Sequence, residues 1–525
     1  MTRTPVHRSS DIQDQPLYTA AACRAIDAQA MAAESAGGMG LTGPQLMQRA
    51  AQFALDTLLN LSPQLPGLSI LCGKGNNGGD GYWVAVLAKR LGIPVQLIAL
   101  APKEELRGDA RDACEQAIAA GMSLEDPDAD FRYPVIVDAL LGTGGQGAPR
   151  PGYAQAITRI NEAQAFVLSL DLPSGLHADT GAAQLAVQAD ATVSFIARNI
   201  GLFTGRGPAL CGQRYFSDLG VAASYAQQHP HVPLRHWHAG LMPKVPADAY
   251  KHQRGHVVIV GGCKGMGGAV ILAAQSALCS GAGLVSVATD AANIAGLQAR
   301  VPEAMWIDPL VAEDDRSLAS VLANAGIVVL GPGLGRGPWA AKVMDALAAY
   351  QGPMLVDADG LYWLAKHQQR YQHKYQHKRQ QQGAVFAPQP LFLTPHAGEA
   401  ATLLGTSVAE VAADPFAAVA AMASNYQARC LLKGPGTIFG DADAVSVCGH
   451  GNPGMATAGM GDVLAGLAAS LIVQQPQNRS AGFDAGVLLH SAAADRAALE
   501  LGQRGLTASA VIPSIGALLH EAQTC

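Results

Sequence analysis

LSILCGKGNNGGDGYWVAVLAKRLG, Leu68–Gly92, is the stretch on which the fold turns. An apolar run, LSILC, meets a glycine-rich loop, Gly73–Gly81, and a helical pattern follows without a break. Glycines at such a strand-to-helix turn let backbone N–H groups come close to a phosphate, and the helix N-terminus adds partial positive charge. The loop asparagines and Asp80 can then hydrogen-bond ribose or amide groups. The plainer alternative is a tight turn whose asparagines tolerate left-handed backbone.

Working outward, further apolar runs alternate with helical patterns: VQLIAL, VIVDALL, FVLSLDLP and ATVSFIA, with a capped helix predicted over Thr19–Ala33. Alternation of this kind implies right-handed βαβ units and a parallel sheet, and runs apolar throughout suit strands covered on both faces. Near Ala222–Lys251 Pro, His and Gln replace the periodic pattern, and a second αβ series begins at GHVVIVGG and continues through LVSVAT, GIVVLGPGL, PMLVDADG, LFLTPHAGE and CLLKGPGT. The expectation is an α/β chain of two domains, 17–222 and 251–525, joined by a linker, 223–250. The tract HQQRYQHKYQHKRQQQ, 367–382, reads as a solvated insertion between a helix and a strand.

Composition narrows the class. A chain of 525 residues, 49% hydrophobic and 14% charged, folds, and is long enough for more than one core. Lys plus Arg at 35 against Asp plus Glu at 41 leaves −6, which offers no general field for nucleic acid or anionic lipid. The 59 glycines exceed the usual share of roughly 7%, which points to backbone-lined loops and small-molecule ligands. Nine scattered cysteines without a C-x-x-C pair read as reduced thiols of a cytoplasmic protein rather than zinc ligands or disulfides. The start, MTRTPVHRSSDIQDQP, lacks the apolar stretch of a secretory signal. The apolar run Val463–Val473 falls short of the roughly 18 residues of a membrane span.

Three strand ends carry the chemistry of the first half. Gly142–Gly147 formally matches G-x-G-x-x-G, but Pro149 and Pro151 follow, so no NAD-linked dehydrogenase is read from it. Asp138 precedes that loop, and a third run ends in DLPSG, Asp171–Gly175. Carboxylates at the C-terminal ends of neighbouring parallel strands converge, so Asp171 is the candidate acid/base group, beside Asp138 and the Asn76–Asp80 loop. Without a G-x-S-x-G elbow, Ser174 is no acyl-transfer nucleophile. Oxygens of Asn77, Asp138 and Ser174 suit a hard, undemanding cation.

In the second half GGCKGMGG, Gly261–Gly268, and GPGLG, Gly331–Gly335, each follow a strand. Near the end come LLKGPGT, Leu431–Thr437, and NPGMATAGMGDVLAG, Asn452–Gly466. Lys433, the glycine backbone and Thr437 can wrap phosphates, and Gly459–Gly461 open a helix whose N-terminus faces an anion, with Asp462 in its first turn. No G-x4-G-K-[ST] motif occurs, which excludes an ordinary P-loop NTPase. His396, at a strand end with Glu399 one turn on, is taken as substrate-binding.

With GKGNNGGDG, VDALLGTG and DLPSG in order, the N-terminal half resembles the NAD(P)H-hydrate epimerase family. The C-terminal half, with GGCKGMGG, GPGLG, VDADGL, LTPHAGE, KGPGT and NPGMATAGMGDVLAG in order, is similar to the ADP-dependent NAD(P)H-hydrate dehydratase family. The resemblance implies a Rossmann-like doubly wound parallel sheet followed by a ribokinase-like α/β/α sandwich. It implies epimerisation of the R and S hydrates of NADH and NADPH (NADHX and NADPHX), then ADP-dependent dehydration of the S hydrate. Implied substrate contacts in the first half are Asn76, Asn77, Gly78, Gly79, Asp80, Gly142, Thr143, Gly144, Gly145, Gln146, Gly147, Ala148 and Asp171, with potassium on Asn77, Asp138 and Ser174. In the second half Ala269, Gly333, Gly335, His396 and Asp462 would meet the hydrate, and Lys433, Gly434, Pro435, Gly436, Thr437 and Gly461 would hold ADP or AMP, with Mg2+ a further expected ion and a homo-oligomer the expected assembly. Asp171 and Asp462 are the expected catalytic residues. The 367–382 insertion has no counterpart in the family pattern, and GTGGQGAPR lacks the basic residue expected soon after its second glycine. The competing reading is a ribokinase-like small-molecule kinase with an N-terminal nucleotide-binding regulatory module.

Overall fold

The strand Leu68–Cys72 is buried at every residue, as a strand sandwiched between helical layers must be. In the computed structural model the described residues are 7–8, 15–145, 147–242, 244–311, 317–374 and 390–524, with backbone alone at 7–8, 368–374 and 523–524. They divide into two compact units at Leu234/Arg235. The stretch 223–250, expected as a linker, contains a short helix, Ala223–Gln227, and the strand Val232–Arg235.

In the first unit the sheet has eight strands among the described residues. From Leu68–Cys72 the chain steps outward to Val95–Ala99 and Leu124–Glu125, then returns to Val135–Ala139 on the other side and continues to Phe166–Leu170, Ala191–Phe195 and Gln213–Ser217. All these pairs are parallel, and His7–Arg8 adds an antiparallel edge. The sheet is therefore doubly wound, with its order reversing between Leu68–Cys72 and Val135–Ala139. Loops leaving those two strands diverge to opposite faces, and the crevice between them is where α/β sheets hold ligands. The helix Asn76–Arg90 begins in that crevice and lies so close to the strand end that a Cβ on Gly78 would sit 2.0 Å from the Gly73 carbonyl oxygen. A glycine is required there. Gln15–Tyr18 pairs antiparallel with the strand starting at Val232 and parallel with Arg198–Asn199.

The second unit repeats the plan. His256–Val260 leads outward to Leu284–Ala288 and Met305–Ile307, then the chain returns through Ile327–Leu330, Met354–Val356, Leu391–Leu393 and Ala428–Leu432, all parallel. Ile438–Gly440 and Val445–Cys448 continue antiparallel. Its switch point lies between His256–Val260 and Ile327–Leu330. The helix Met460–Gln474 packs on those two strands and against the helices Gly267–Cys279 and Arg479–Leu501. Leu467 and Ile472 on it are fully buried, each contributing roughly 1.5–3 kcal/mol. Leu467→Ala is expected to cost about 3 kcal/mol.

Helix Asp359–Lys374 runs into the Gln/His/Lys-rich tract, so the first part of the 367–382 insertion continues a helix, and the remainder lies outside the described residues. Among the described residues the cysteines are free, and no helix is long and apolar enough to cross a membrane.

Candidate active sites

At the first switch point, Asp138 lies next to the last residue of the strand Val135–Ala139, fully buried. Its Oδ1 accepts from Ser174 Oγ at 2.6 Å and the Leu140 N–H at 3.2 Å, and its Oδ2 accepts from Ser169 Oγ at 2.8 Å and the Ser174 N–H at 2.9 Å. Burial pushes this carboxyl above its usual range, and the Ser174, Ser169 and Leu140 donors pull it back. Ser174 Oγ in turn accepts from the Leu141 N–H at 2.9 Å. Asp138 and Ser174 thus brace the loops at this end of the sheet. Ser169, unflagged in the sequence, completes that network.

Asp171 differs in kind. Its backbone sits at φ +67°, a left-handed conformation uncommon for a non-glycine residue, and its N–H donates to the Val193 carbonyl at 2.7 Å. Its Oδ2 accepts the Thr143 N–H at 2.9 Å. Burial lifts the carboxyl to about 6 against that donor. A Cβ on Gly142 would lie 2.8 Å from Asp171 Oδ2 and 3.2 Å from Asn77 Cβ, so the Gly142 loop, Asp171 and Asn77 meet at one point. Asn77 is 8% exposed, and neither atom of its amide has a hydrogen-bond partner in the protein. An orphaned buried amide is costly unless a ligand completes it.

Asp80 faces the same centre, raised by burial first and then by the charges of Asp171 and Asp27. Gly78 and Gly79 are buried under the loop, whereas Asn76 is exposed. Gly144, Gly147 and Ala148 form the exposed rim, Gly145 closes a turn onto the Gly142 carbonyl, and Gln146 lies outside the described residues. Among the described residues no group of three His, Cys, Asp or Glu side chains is arranged to hold a metal ion. A cation at Asn77, Asp138 and Ser174 would rest on few charges and mainly neutral oxygens, which suits a large monovalent ion.

At the second switch point the glycine loops lock together: the Gly262 N–H donates to Pro332 O at 2.8 Å and the Cys263 N–H to Gly333 O at 2.7 Å. A Cβ on Gly333 would stand 3.2 Å from Ala269 Cβ, so these two candidate contacts are neighbours. Gly335 is held by Asp359, which accepts its N–H at 3.1 Å, and by Trp363, whose Nε1 donates to its carbonyl at 2.9 Å.

Lys433 and Asp462 meet a third residue that the sequence did not single out. Lys433 Nζ donates to Asp357 Oδ1 at 2.6 Å, and Thr394 Oγ1 donates to the same oxygen at 2.8 Å. Glu399 Oε2 is 3.9 Å from the ammonium. The ammonium therefore faces carboxylates, while Gly434 and Pro435 of the same loop are exposed, and Thr437 Oγ1 closes back on Gly434 O at 3.2 Å. A Cβ on Gly461 would be 3.3 Å from both Lys433 Nζ and Asp357 Oδ2. Asp462 follows in the first turn of a helix whose cap, Gly459, is left-handed at φ +88° and supplies no side-chain acceptor. Its unfilled N–H groups leave an anion position open. Burial and the Asp357 charge raise the Asp462 carboxyl to about 7, against the pull of Lys433.

His396 is a helix cap. Its Nδ1 accepts the N–H groups of Gly398 and Glu399 at 3.0 and 3.2 Å, and Glu399 Oε2 accepts the His396 N–H at 2.8 Å, closing a capping box. Nδ1 is thereby an acceptor, which leaves the proton on Nε2, 3.4 Å from Glu399 Oε1, on a side chain 60% exposed.

Fold and geometry define an α/β protein with two candidate centres, one at each switch point. Residues 43–201 match the family model described as YjeF-related protein N-terminus, and residues 257–515 match that of NAD(P)H-hydrate dehydratase. The chain is 39% identical to a bifunctional NAD(P)H-hydrate repair enzyme of Coxiella burnetii over 92% of this chain and 96% of that one, and 38% identical to its Escherichia coli namesake over 94% and 92%. Among solved structures, a hypothetical protein of Streptococcus mutans aligns at 29% identity and TM-score 0.48 over 54% of this chain and 97% of that one. An ADP/ATP-dependent NAD(P)H-hydrate dehydratase of Bacillus subtilis, co-crystallised with ATP/Mg2+, aligns at 22% and TM-score 0.45 over 54% and 95%. The chain belongs to the family of bifunctional NAD(P)H-hydrate repair enzymes.

Proposed function

We propose that the protein restores NADH and NADPH whose nicotinamide ring has taken up water, interconverting the R and S hydrates in the first unit and dehydrating the S hydrate in the second. The observation that carries the reading is Asp462: a carboxyl raised to about 7, next to the Lys433–Asp357 pair, at an uncapped helix N-terminus.

In the dehydration, protonated Asp462 gives its proton to the ring hydroxyl, which leaves as water as the ring nitrogen lone pair forms an iminium. The resulting carboxylate removes a proton from the adjacent carbon, the dihydropyridine double bond forms, and Asp462 is again protonated. Lys433 pairs with Asp357 and tempers Asp462 beside it. ADP, seated on the exposed Gly434–Thr437 loop and the N–H groups of Met460–Gln474, would supply negative charge and order to the site without giving up a phosphoryl group. Ala269, Gly333 and Gly335 are close-packed backbone against which a flat ring can lie. In the first unit Asp171 moves protons at the hydroxyl-bearing carbon. Potassium on Asn77, Asp138 and Ser174 would neutralise the substrate's phosphates there.

The test is to incubate the purified chain with both hydrates, ADP and potassium and follow dihydropyridine absorbance. Complete recovery is expected. Recovery that stops at the S isomer would remove the first activity from the reading. ATP consumption with a phosphorylated product would replace it with a kinase.

A further inference from the structure

We propose that Asp27, on the helix Ala20–Met31, is a second acid/base residue of the epimerase centre and works with Asp171 at the hydroxyl-bearing ring carbon. The assignment rests on the functional reading above and extends it to an element outside every glycine loop.

The helix is fastened over the strand ends. Its first N–H, at Ala20, donates to Asp179 Oδ1 at 2.6 Å, and Cys23 Sγ lies 3.4 Å from Asn199 Oδ1. Ala20, Cys23, Ile26 and Ala30 form its buried stripe. Asp27 stands one turn beyond Cys23, partly buried, on the side that faces Asp171 and Asp80. Among the described residues it has neither a hydrogen-bond donor nor a cation paired with it. A half-buried carboxylate holding nothing costs stability and has no structural role to offset that cost. Next to Asp171, across Gly142, the orphaned Asn77 amide independently marks a position where a ligand is missing. The carboxylates come from separate elements and, among the described residues, are not gathered as metal ligands.

The groups facing Asp27 are Cys23 from its own helix, Asp171 from the strand end and Asp80 from the glycine-loop helix, while Arg24 and Asp179 act on Cys23. Burial and then the Asp171 charge raise Asp27 to about 7, and burial raises Asp171 to about 6. Two carboxyls on separate elements thus face one centre, Asp27 as the donor of a proton and Asp171 as the acceptor of one. Protonated Asp27 donates to the departing hydroxyl as the C–O bond breaks and the ring nitrogen forms an iminium. Asp171 removes a proton from the water that forms the new C–O bond on the other face. One water leaves, one enters, and exchange with solvent resets the pair.

The test follows epimerisation in the full chain, without ADP, by separating the two hydrates from about pH 5 to 9 in wild type, Asp27→Asn and Asp27→Glu. Asp27→Asn is expected to slow interconversion about 100-fold or more and to lose the alkaline limb of the profile, while Asp27→Glu recovers about tenfold. Dehydration of the S hydrate with ADP stays unchanged. Wild-type rates in Asp27→Asn overturn the assignment. So does a slow Asp27→Asn that keeps the limb and is not rescued by Glu, since packing alone then accounts for it. A wild-type chain that leaves the hydrates unchanged overturns the epimerase reading itself.

Discussion

Lys433 Nζ and Asp357 Oδ1 lie 2.6 Å apart, with Asp357 only 1% exposed, although 76 residues separate them in the chain. Breaking a buried pair from one side leaves an uncompensated charge. Lys433→Met is expected to cost about 3 kcal/mol in urea unfolding. It also removes the charge that lowers Asp462, so the alkaline limb of the dehydration rate should move to higher pH. An unshifted limb would separate Lys433 from Asp462.

Asp462→Asn should reduce dehydration about 100-fold or more while epimerisation is unaffected. Stability gives a second readout. The folded-state value of about 7 lies above the ordinary 3.8, so the folded chain keeps a proton that the unfolded chain releases. The stability due to that proton is complete below about pH 4 and is lost as pH rises through 7. The Tm of Asp462→Asn relative to wild type should therefore climb between about pH 4 and 8, and a constant difference would contradict the raised value.

Gly142→Ala places a methyl 2.8 Å from Asp171 Oδ2. Displacing a positioned group by about 1 Å can cost 10²-fold, and epimerisation should fall by that order. Dehydration in the same preparation serves as the control. Equal activity would mean that Asp171 does not act from its present position.

Asn77→Ala discards an amide that makes no hydrogen bond in the protein. Unfolding free energy should therefore change by less than about 1 kcal/mol. Epimerisation, expected to be faster in potassium than in sodium buffer, should lose that preference in the variant. A large fall in stability would show that the amide is structural.

His396 separates capping from binding. Asparagine caps helices well, so His396→Asn should keep the Tm, while His396→Ala loses about 1 kcal/mol. If the exposed imidazole meets the hydrate, both variants raise KM for dehydration. A KM that rises only in the alanine variant would assign His396 to the helix alone.

Local patterns carried far in this chain. Apolar runs ending in glycine loops disclose both switch points, because close backbone approach leaves a mark within a few residues. The His396–Glu399 capping box was also present as a spacing, although with histidine in a place where serine or threonine is the usual signal. What escaped depends on distant strands meeting. Lys433 reads in isolation as a phosphate ligand, and only the sheet brings Asp357 to its ammonium. VDADG stands in the second αβ series with nothing to choose between its two aspartates: Asp357 pairs with Lys433, and Asp359 secures Gly335. Asp27 lies in an ordinary amphipathic helix, and nothing near it in the chain hints at Asp171.

Asp171 is pinned at both ends, its amide to Val193 and its carboxylate to Thr143, on a backbone that resists rotation. A carboxyl so clamped has no freedom to follow a changing stereocentre from one face to the other. The opposite face must then be served by a second group, so the two isomers can interconvert while the tethered ring stays where it is.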